Sequence, residues 1–386
     1  MTSSHLWFVA CVLMMAAVGQ AAMYFSFDQH QDVDFSEDEM RELFGSWKGI
    51  HGKFYKTLEK DEERFQVFQE NVRKIISLNK EYEGRELKFA PNKFADLSYA
   101  EFRSKILMPK REAPVHPNSK YTTTDFNAPL PTAFDWNEKG MVTDVKDQGS
   151  GGTCWAFSTI GNIEGQWAMA GHNLTSLSVE QVVDCDGGED VPKGRADCGV
   201  FGGWPYLAYQ FIQKVGGLET EADYKYCAGA GGAPGTCFVC APPGFNKTLC
   251  GPPVWWCNVT CFDKLDKTKF VPGLNVTGWK AIDQNETTMA HQLMETGPLS
   301  VALNAELLQF YHSGVFDPIM CNPKTLDHAV LITGFGVHSG WFGNTPYWVV
   351  KNSWGPKWGL KGYFWIKRGA GICGINTAVT TAQLKH

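Results

Sequence analysis

The stretch Gln148-Gly149-Ser150-Gly151-Gly152-Thr153-Cys154-Trp155-Ala156-Phe157-Ser158 places one cysteine directly after a glycine-rich turn. Beyond it, Ala156, Ile160, Ile163 and Trp167 recur at spacings of 4, 3 and 4, which predicts a helix beginning close to Cys154. A thiol at a helix N-terminus feels the positive end of the helix dipole, which lowers its pKa and favours the nucleophilic thiolate. The glycines let another backbone approach closely. Thiol chemistry also needs an imidazole, a group that orients it, and donors for an oxyanion. Leu326-Asp327-His328-Ala329-Val330 supplies a histidine at the entry to an apolar strand, and Asn352-Ser353-Trp354-Gly355 follows the strand-like run Tyr347–Lys351. A His and an Asn leaving adjacent strands can meet across them. The Asn carbonyl then fixes the imidazole tautomer, and Trp354 shields the pair from water.

Downstream of this helix, Val330–Ile332, Tyr347–Lys351 and Gly362–Ile366 read as strands separated by Gly, Asn and Pro. A helical lobe followed by a β lobe is an α+β arrangement, with a cleft between the lobes as the natural place for a substrate. Upstream, the sequence changes character: no cysteine lies between Cys11 and Cys154. Ser36 followed by Glu37, Asp38 and Glu39 is an N-cap with first-turn acids, ahead of Met40, Leu43, Phe44 and Trp47 at near-helical spacing. A second helix is expected over about Leu58–Tyr82, its apolar stripe of Phe65, Phe68, Val72, Ile75 and Ile76 interrupted by Arg64 and Asn71. Pro109, Pro114, Pro117, Pro129 and Pro131 mark an extended linker open to proteolysis. At the start of the chain, the apolar run Leu6–Val18 is too short to span a bilayer. With small residues at Gly19, Ala21 and Ala22 it predicts a signal peptide over 1–22, although it has no Lys or Arg before it. Net charge is −6 over 386 residues, so there is no basic footprint for nucleic acid.

These motifs together resemble the papain-like cysteine proteases, on the cathepsin L-like side. Gln148 six residues before Cys154, Asp327-His328-Ala329, and Asn352-Ser353-Trp354-Gly355-Pro356-Lys357-Trp358-Gly359 carry the likeness. So do Arg64-x3-Phe68-x2-Asn71-x3-Ile75-x3-Asn79 and Asn92-x-Phe94-x-Asp96, which resemble the two motifs of an inhibitory propeptide, with Lys60 and Ala90 where Glu and Gly are usual. The resemblance implies a two-lobe α+β fold with an inhibitory helical prodomain over 23–127 and a catalytic domain over 128–386, matured between Thr122 and Leu130. It implies an endopeptidase made as a zymogen: Cys154 as nucleophile, His328 as its acid–base partner, Asn352 orienting the ring, and Gln148 with the Cys154 N–H holding the oxyanion. Substrate contacts carried over are Gly202, Gly203, Trp204, Pro205, Ala302, Leu326, Asp327, Trp354 and Ala378. The small apolar positions Ala302, Leu326, Ala329 and Ala378 imply bulky apolar residues at P2. Peptide and protein substrates, the chain's own prodomain and cystatin-like inhibitors are the implied partners of a monomer without cofactor, metal or membrane span. The rival readings are an exopeptidase with a narrowed cleft, and a non-catalytic binding protein on the same scaffold.

The sequence departs from this family in two places. Position 151 is Gly where the family has a cysteine that bonds to the match of Cys198. A Cys-rich insertion over about 227–262 also lengthens the chain, so that His328 lies 174 residues beyond Cys154 (154 to 328) where about 130–150 is usual. By resemblance Cys321 pairs with Cys373, and Cys185 with a cysteine near Cys227 or Cys237. Cys198 is expected to bond to a cysteine of the block. The set Cys185, Cys198, Cys227, Cys237, Cys240, Cys250, Cys257 and Cys261 leaves connectivity open, with a zinc site on Cys237, Cys240, Cys257 and Cys261 as the alternative. Sequons at Asn173, Asn246, Asn258, Asn275 and Asn285 are expected to carry glycans. The destination is the secretory route, ending in a lysosome-like acidic compartment or outside the cell.

Overall fold

The computed structural model describes residues 35–114, 128–228, 241–251, 261–340 and 343–385. The expected signal peptide, most of the maturation region, and Cys237, Cys240, Cys257 and Asn258 lie outside the described residues. The chain divides into two compact units, the first reaching Phe102 and including Gln309–Gly314, the second comprising Arg103–Leu308 and Val315 onward.

In the first unit, helix α1 (Glu37–His51) starts on a capping box between Ser36 and Glu39 and ends at Gly52 with φ of 62°. Helix α2 (Leu58–Glu81) packs Phe65 and Phe68 against Phe44 and Trp47. The polar residues in its stripe have partners in the following loop. Arg64 forks onto Glu101 at 2.8 and 2.9 Å and donates to the Asp96 carbonyl. The Asn71 amide donates to the carbonyls of Ala95 and Leu97. Asn79 both donates to and accepts from the Phe89 backbone at 2.9 Å. Buried side-chain amides thus satisfy a loop that forms no ladder of its own. Strand β1 (Lys88–Phe89) pairs with Tyr311–Ser313.

The second unit is built on one helix and one sheet. The helix Cys154–Met169 is buried on nearly all sides, and Thr153 precedes its first residue. Ahead of it in the chain, α3 (Tyr99–Ile106) spans the division between the units. The sheet carries in order the strands Val276–Ala281, Val379–Leu384, Leu299–Leu303, His328–Gly340, Gly343–Lys351, Tyr363–Lys367 and Val315–Phe316, antiparallel except for the last pair. A Cβ at Gly165 would lie 2.7 Å from the Pro298 ring, so glycine there lets the helix lie close on the sheet side. Ser158 Oγ donates to the Val330 carbonyl at 2.6 Å, and Asn162 bonds to Pro298 and the Ala382 N–H. Glu164 accepts from Thr143 and Lys146, and Lys351 donates to Thr143 at 3.0 Å. These buried bonds fix the strand that carries His328 against the helix that carries Cys154.

Three disulfides are formed among the described cysteines: Cys321–Cys373, Cys185–Cys261 and Cys198–Cys250. Cys227 is also disulfide-bonded. The Cys185 partner corrects the expectation of a cysteine near Cys227 or Cys237. Cys185 ends the helix Val179–Cys185, and the short helix Cys261–Lys264 docks beside that end, where Lys264 pairs with Asp184 at 3.1 Å. Cys227 lies by Glu180 near the helix's start, where its N–H donates to that carboxylate. The bond between Cys261 and Cys185 also takes Cys261 out of the four-cysteine zinc set. Cys198, without a cysteine at 151, is joined to Cys250 within the insertion.

Candidate active site

The helix starting at Cys154 and the strand starting at His328 bring the two expected reacting residues together. The Ala329 N–H points at Cys154 Sγ at 3.4 Å. His328 Nε2 meets Asn352 Oδ1 at 2.7 Å, so the Asn carbonyl accepts from that nitrogen when it carries the proton. His328 Nδ1 is buried with no hydrogen-bond partner among the described residues, which leaves it as the nitrogen open to a thiol. Trp354 stacks on the imidazole with ring centroids 4.6 Å apart and is itself braced edge-on by Trp358.

Gln148 is the third anchor. Its Nε2 donates to the carbonyls of Gly151 (2.8 Å) and Ile106 (2.9 Å), while its Oε1 accepts from Ser353 Oγ at 2.6 Å. The Ser353 N–H donates to Asn352 Oδ1 at 2.8 Å. One strand end therefore aims both Gln148, the expected oxyanion donor, and Asn352, the amide on the imidazole. Sequence reasoning quoted Ser353 without giving it this part. It also missed Tyr226, whose hydroxyl donates to the Gln148 carbonyl at 2.8 Å and lies 2.7 Å from Thr153 Oγ1. Those two contacts, with Gly152 N–H on the Val200 carbonyl at 2.7 Å, hold the glycine-rich turn that lacks its usual disulfide.

Residues 105–112 run through this site. Gly151 N–H donates to the Lys105 carbonyl, Met108 N–H donates to the Asp327 carbonyl, and Arg111–Glu112 pair antiparallel with Thr325–Leu326. Met108 is buried in one apolar cluster with Cys154, Trp204, Ala302, Leu326, Ala329 and Ala378. A Cβ at Gly202 would lie 3.1 Å from the Met108 side chain, and one at Gly203 would lie 2.5 Å from the Trp155 ring and 2.6 Å from Asp197. Only glycines fit there. Pro205 begins the helix Pro205–Val215, and the Trp204 N–H donates to Asp197 Oδ1 at 2.6 Å. Asp327 turns its carboxylate to the Ala305 N–H and offers the cleft its backbone.

Burial sets the electrostatics. Cys154 and His328 are both wholly buried. Desolvation pushes the thiol up to about 12, against opposing backbone N–H groups, and pushes the imidazole down to about 4. Both shifts favour a neutral thiol and a neutral imidazole in this precursor chain. Of the sequons, Asn173, Asn275 and Asn285 are exposed, and Asn246 is half-buried with its Nδ2 on Glu189 at 2.7 Å. Among the described residues no helix is long and apolar enough to cross a membrane.

With this geometry in hand, comparison with known proteins gives one answer throughout. Residues 130–383 match the family model "Papain family cysteine protease", and residues 44–102 match "Cathepsin propeptide inhibitor domain (I29)". Cysteine proteinase 1 of Dictyostelium discoideum is 39% identical over 339 residues, covering 86% of this chain and 90% of the relative. Cathepsin F of Mus musculus is 35% identical over 356 residues, covering 90% of this chain and 66% of the relative. The solved structure of digestive procathepsin L 3 from Tenebrio molitor larval midgut superposes with a TM-score of 0.69 at 29% identity, covering 89% of this chain and 99% of that one.

Proposed function

This chain belongs to the papain family of cysteine proteases and carries that family's propeptide inhibitor domain, and from that premise we propose that it is an endopeptidase in which Cys154 and His328 do the chemistry. Cys154 Sγ attacks the scissile carbonyl, forming the thioester-bound acyl-enzyme through a tetrahedral intermediate. His328 gives its proton to the leaving amine, and then takes one from the water that releases the acid. Gln148 Nε2 and the Cys154 N–H hold the oxyanion. Asn352 keeps the ring turned toward the thiol.

The observation that carries this reading is the Ile106 carbonyl on Gln148 Nε2 at 2.9 Å. The amide already holds a peptide carbonyl oxygen from outside its own turn, as it would hold one that is being attacked. The same segment puts an unbranched apolar side chain, Met108, among Ala302, Leu326, Ala329 and Ala378. That supports Leu, Val or Phe at P2, since the side chains at these positions are small or apolar and leave room for one.

The chain is read as entering the secretory route and maturing in acid, where it loses its prodomain. Protein and peptide substrates and cystatin-like inhibitors are its partners. The test is acid activation, followed by labelling with an epoxide inhibitor of thiol proteases and assay on blocked internal peptides. Label on Cys154, lost in Cys154→Ser, with P2-Leu or P2-Phe cleaved faster than P2-Arg, is expected. A correctly processed protein that takes no label would favour a binding protein. Activity confined to free-ended dipeptides would favour an exopeptidase.

A further inference from the structure

Segment 105–112 marks the cleft outward from Cys154: the Ile106 carbonyl at Gln148, then Met108 in the apolar pocket, then Arg111. Arg111 is half-buried against a small hairpin, Glu189–Asp190 paired with Arg195–Ala196. Its Nη1 donates to the Ala196 carbonyl at 3.2 Å, and its Nη2 lies 3.8 Å from Cys198 Sγ. The carboxyl facing it is that of Asp197, wholly buried beside Asp186 with Oδ1 on the Trp204 N–H; burial favours the protonated form of Asp197 itself, and the pair gains its negative charge as Asp186 ionises above about 6. Arg195 also faces the site. It leans over the Trp204 ring at 5.5 Å and donates to the Ala113 carbonyl at 3.3 Å, so its own charge opposes that of Arg111.

The insertion braces this hairpin from behind. Cys250 is bonded to Cys198, and Asn246 Nδ2 donates to Glu189 at 2.7 Å. Gly187 packs so closely that a Cβ there would lie 2.4 Å from the Pro243 carbonyl oxygen. The wall that meets Arg111 is therefore backed by the insertion that sets this chain apart from its family.

We propose that this wall is a substrate subsite for a guanidinium, lying beyond the P2 pocket on the side away from the scissile bond, and that Arg111 fills it in the zymogen. The proposal rests on the peptidase reading above. A substrate arginine at P3 or P4 takes over the Ala196 carbonyl and the field of the Asp186–Asp197 pair. Citrulline keeps the shape and the hydrogen bond but lacks the charge. The insertion thereby contributes to specificity without touching Cys154 or His328.

The test uses the mature full protease and internally quenched peptides with Leu at P2 and with Arg, citrulline, Ala or Glu at P3 and, separately, at P4. Arg is expected to exceed citrulline in kcat/KM by about fivefold at one of the two positions, mainly through KM, with Glu the poorest. The series is run at about pH 7.5, where the pair is charged, and in the double variant Asp186→Asn, Asp197→Asn the Arg-to-citrulline ratio is expected to fall toward one. Should that variant fail to fold, the wild-type series decides alone. Equal kcat/KM for Arg and citrulline at both positions, in an enzyme that cleaves the Ala peptides, would overturn the subsite and leave the peptidase reading intact. No cleavage of any peptide by the processed protein would overturn both.

Discussion

Ser353 shows how a site can depend on a side chain that never meets substrate. Its hydroxyl holds Gln148 Oε1 at 2.6 Å and so decides where the Nε2 donor points. Ser353→Ala is expected to lower kcat about tenfold with little change in KM, less than loss of the oxyanion donor itself. Steady-state kinetics on a P2-Leu peptide, with Ser353→Thr as the rescuing variant, checks this. A second pair of residues sets a pH window. Asp186 and Asp197 are buried side by side, and desolvation pushes Asp186 up to about 6 and Asp197 well above the usual carboxylate range. A carboxyl whose pKa is raised by folding stabilises the fold fully below its unfolded value near 4, and that contribution is lost as pH rises through 6. Glu180, pushed up to about 7 beside Asp184, acts in the same direction. The Tm of the mature protein is therefore expected to drop by several degrees between pH 4.5 and 7.5, and Asp186→Asn to flatten that slope. Cys154, His328 and Asn352 were legible as candidates because each sits in a motif that suits thiol chemistry, and Gln148 through its place in the family resemblance. Ser353, Asp197 and Tyr226 were not, because their partners are groups far apart in sequence that only folding assembles.

The glycine-rich turn before the Cys154 helix lacks its family disulfide, and Tyr226 takes over part of that work. Tyr226→Phe removes the bond to the Gln148 carbonyl and the contact with Thr153 Oγ1. It is expected to reduce kcat/KM several-fold and stability by about 1 kcal/mol, read from kinetics and a urea titration. On the far side of the cleft, Cys250→Ser frees the hairpin that ends at Cys198. A loss of about 2–4 kcal/mol in stability is expected, together with a reduced preference for arginine beyond P2. Helix and strand positions were readable where periodicity is strong, as in the Cys154 helix and the Tyr347–Lys351 strand. The Cys185 partner was not readable. It depends on the helix Cys261–Lys264 docking beside Asp184, which no spacing rule encodes.

The chain is a protease precursor whose inhibitory segment was legible as a prodomain through the resemblance of Arg64-x3-Phe68-x2-Asn71-x3-Ile75-x3-Asn79 to the family's propeptide motif. What the sequence hid is that residues 105–112 pack over Cys154 and His328, whose burial favours the neutral thiol and imidazole. Removing Met108 from the pocket should loosen that state: Met108→Asp is expected to raise the activity of the uncleaved precursor at least severalfold, measured with a P2-Leu peptide before processing. The central claim is that burial by this segment holds Cys154 and His328 neutral, and that its removal turns them into a thiolate–imidazolium pair. The pH dependence of Cys154 alkylation by a small neutral haloacetamide, in precursor and in mature protein, tests it most directly. Cys154→Ser supplies the background. The mature enzyme should react steadily down to pH values well below that of a free thiol, while Cys154 of the precursor stays nearly inert at neutral pH. Equal rates and equal pH profiles in the two forms would contradict the account.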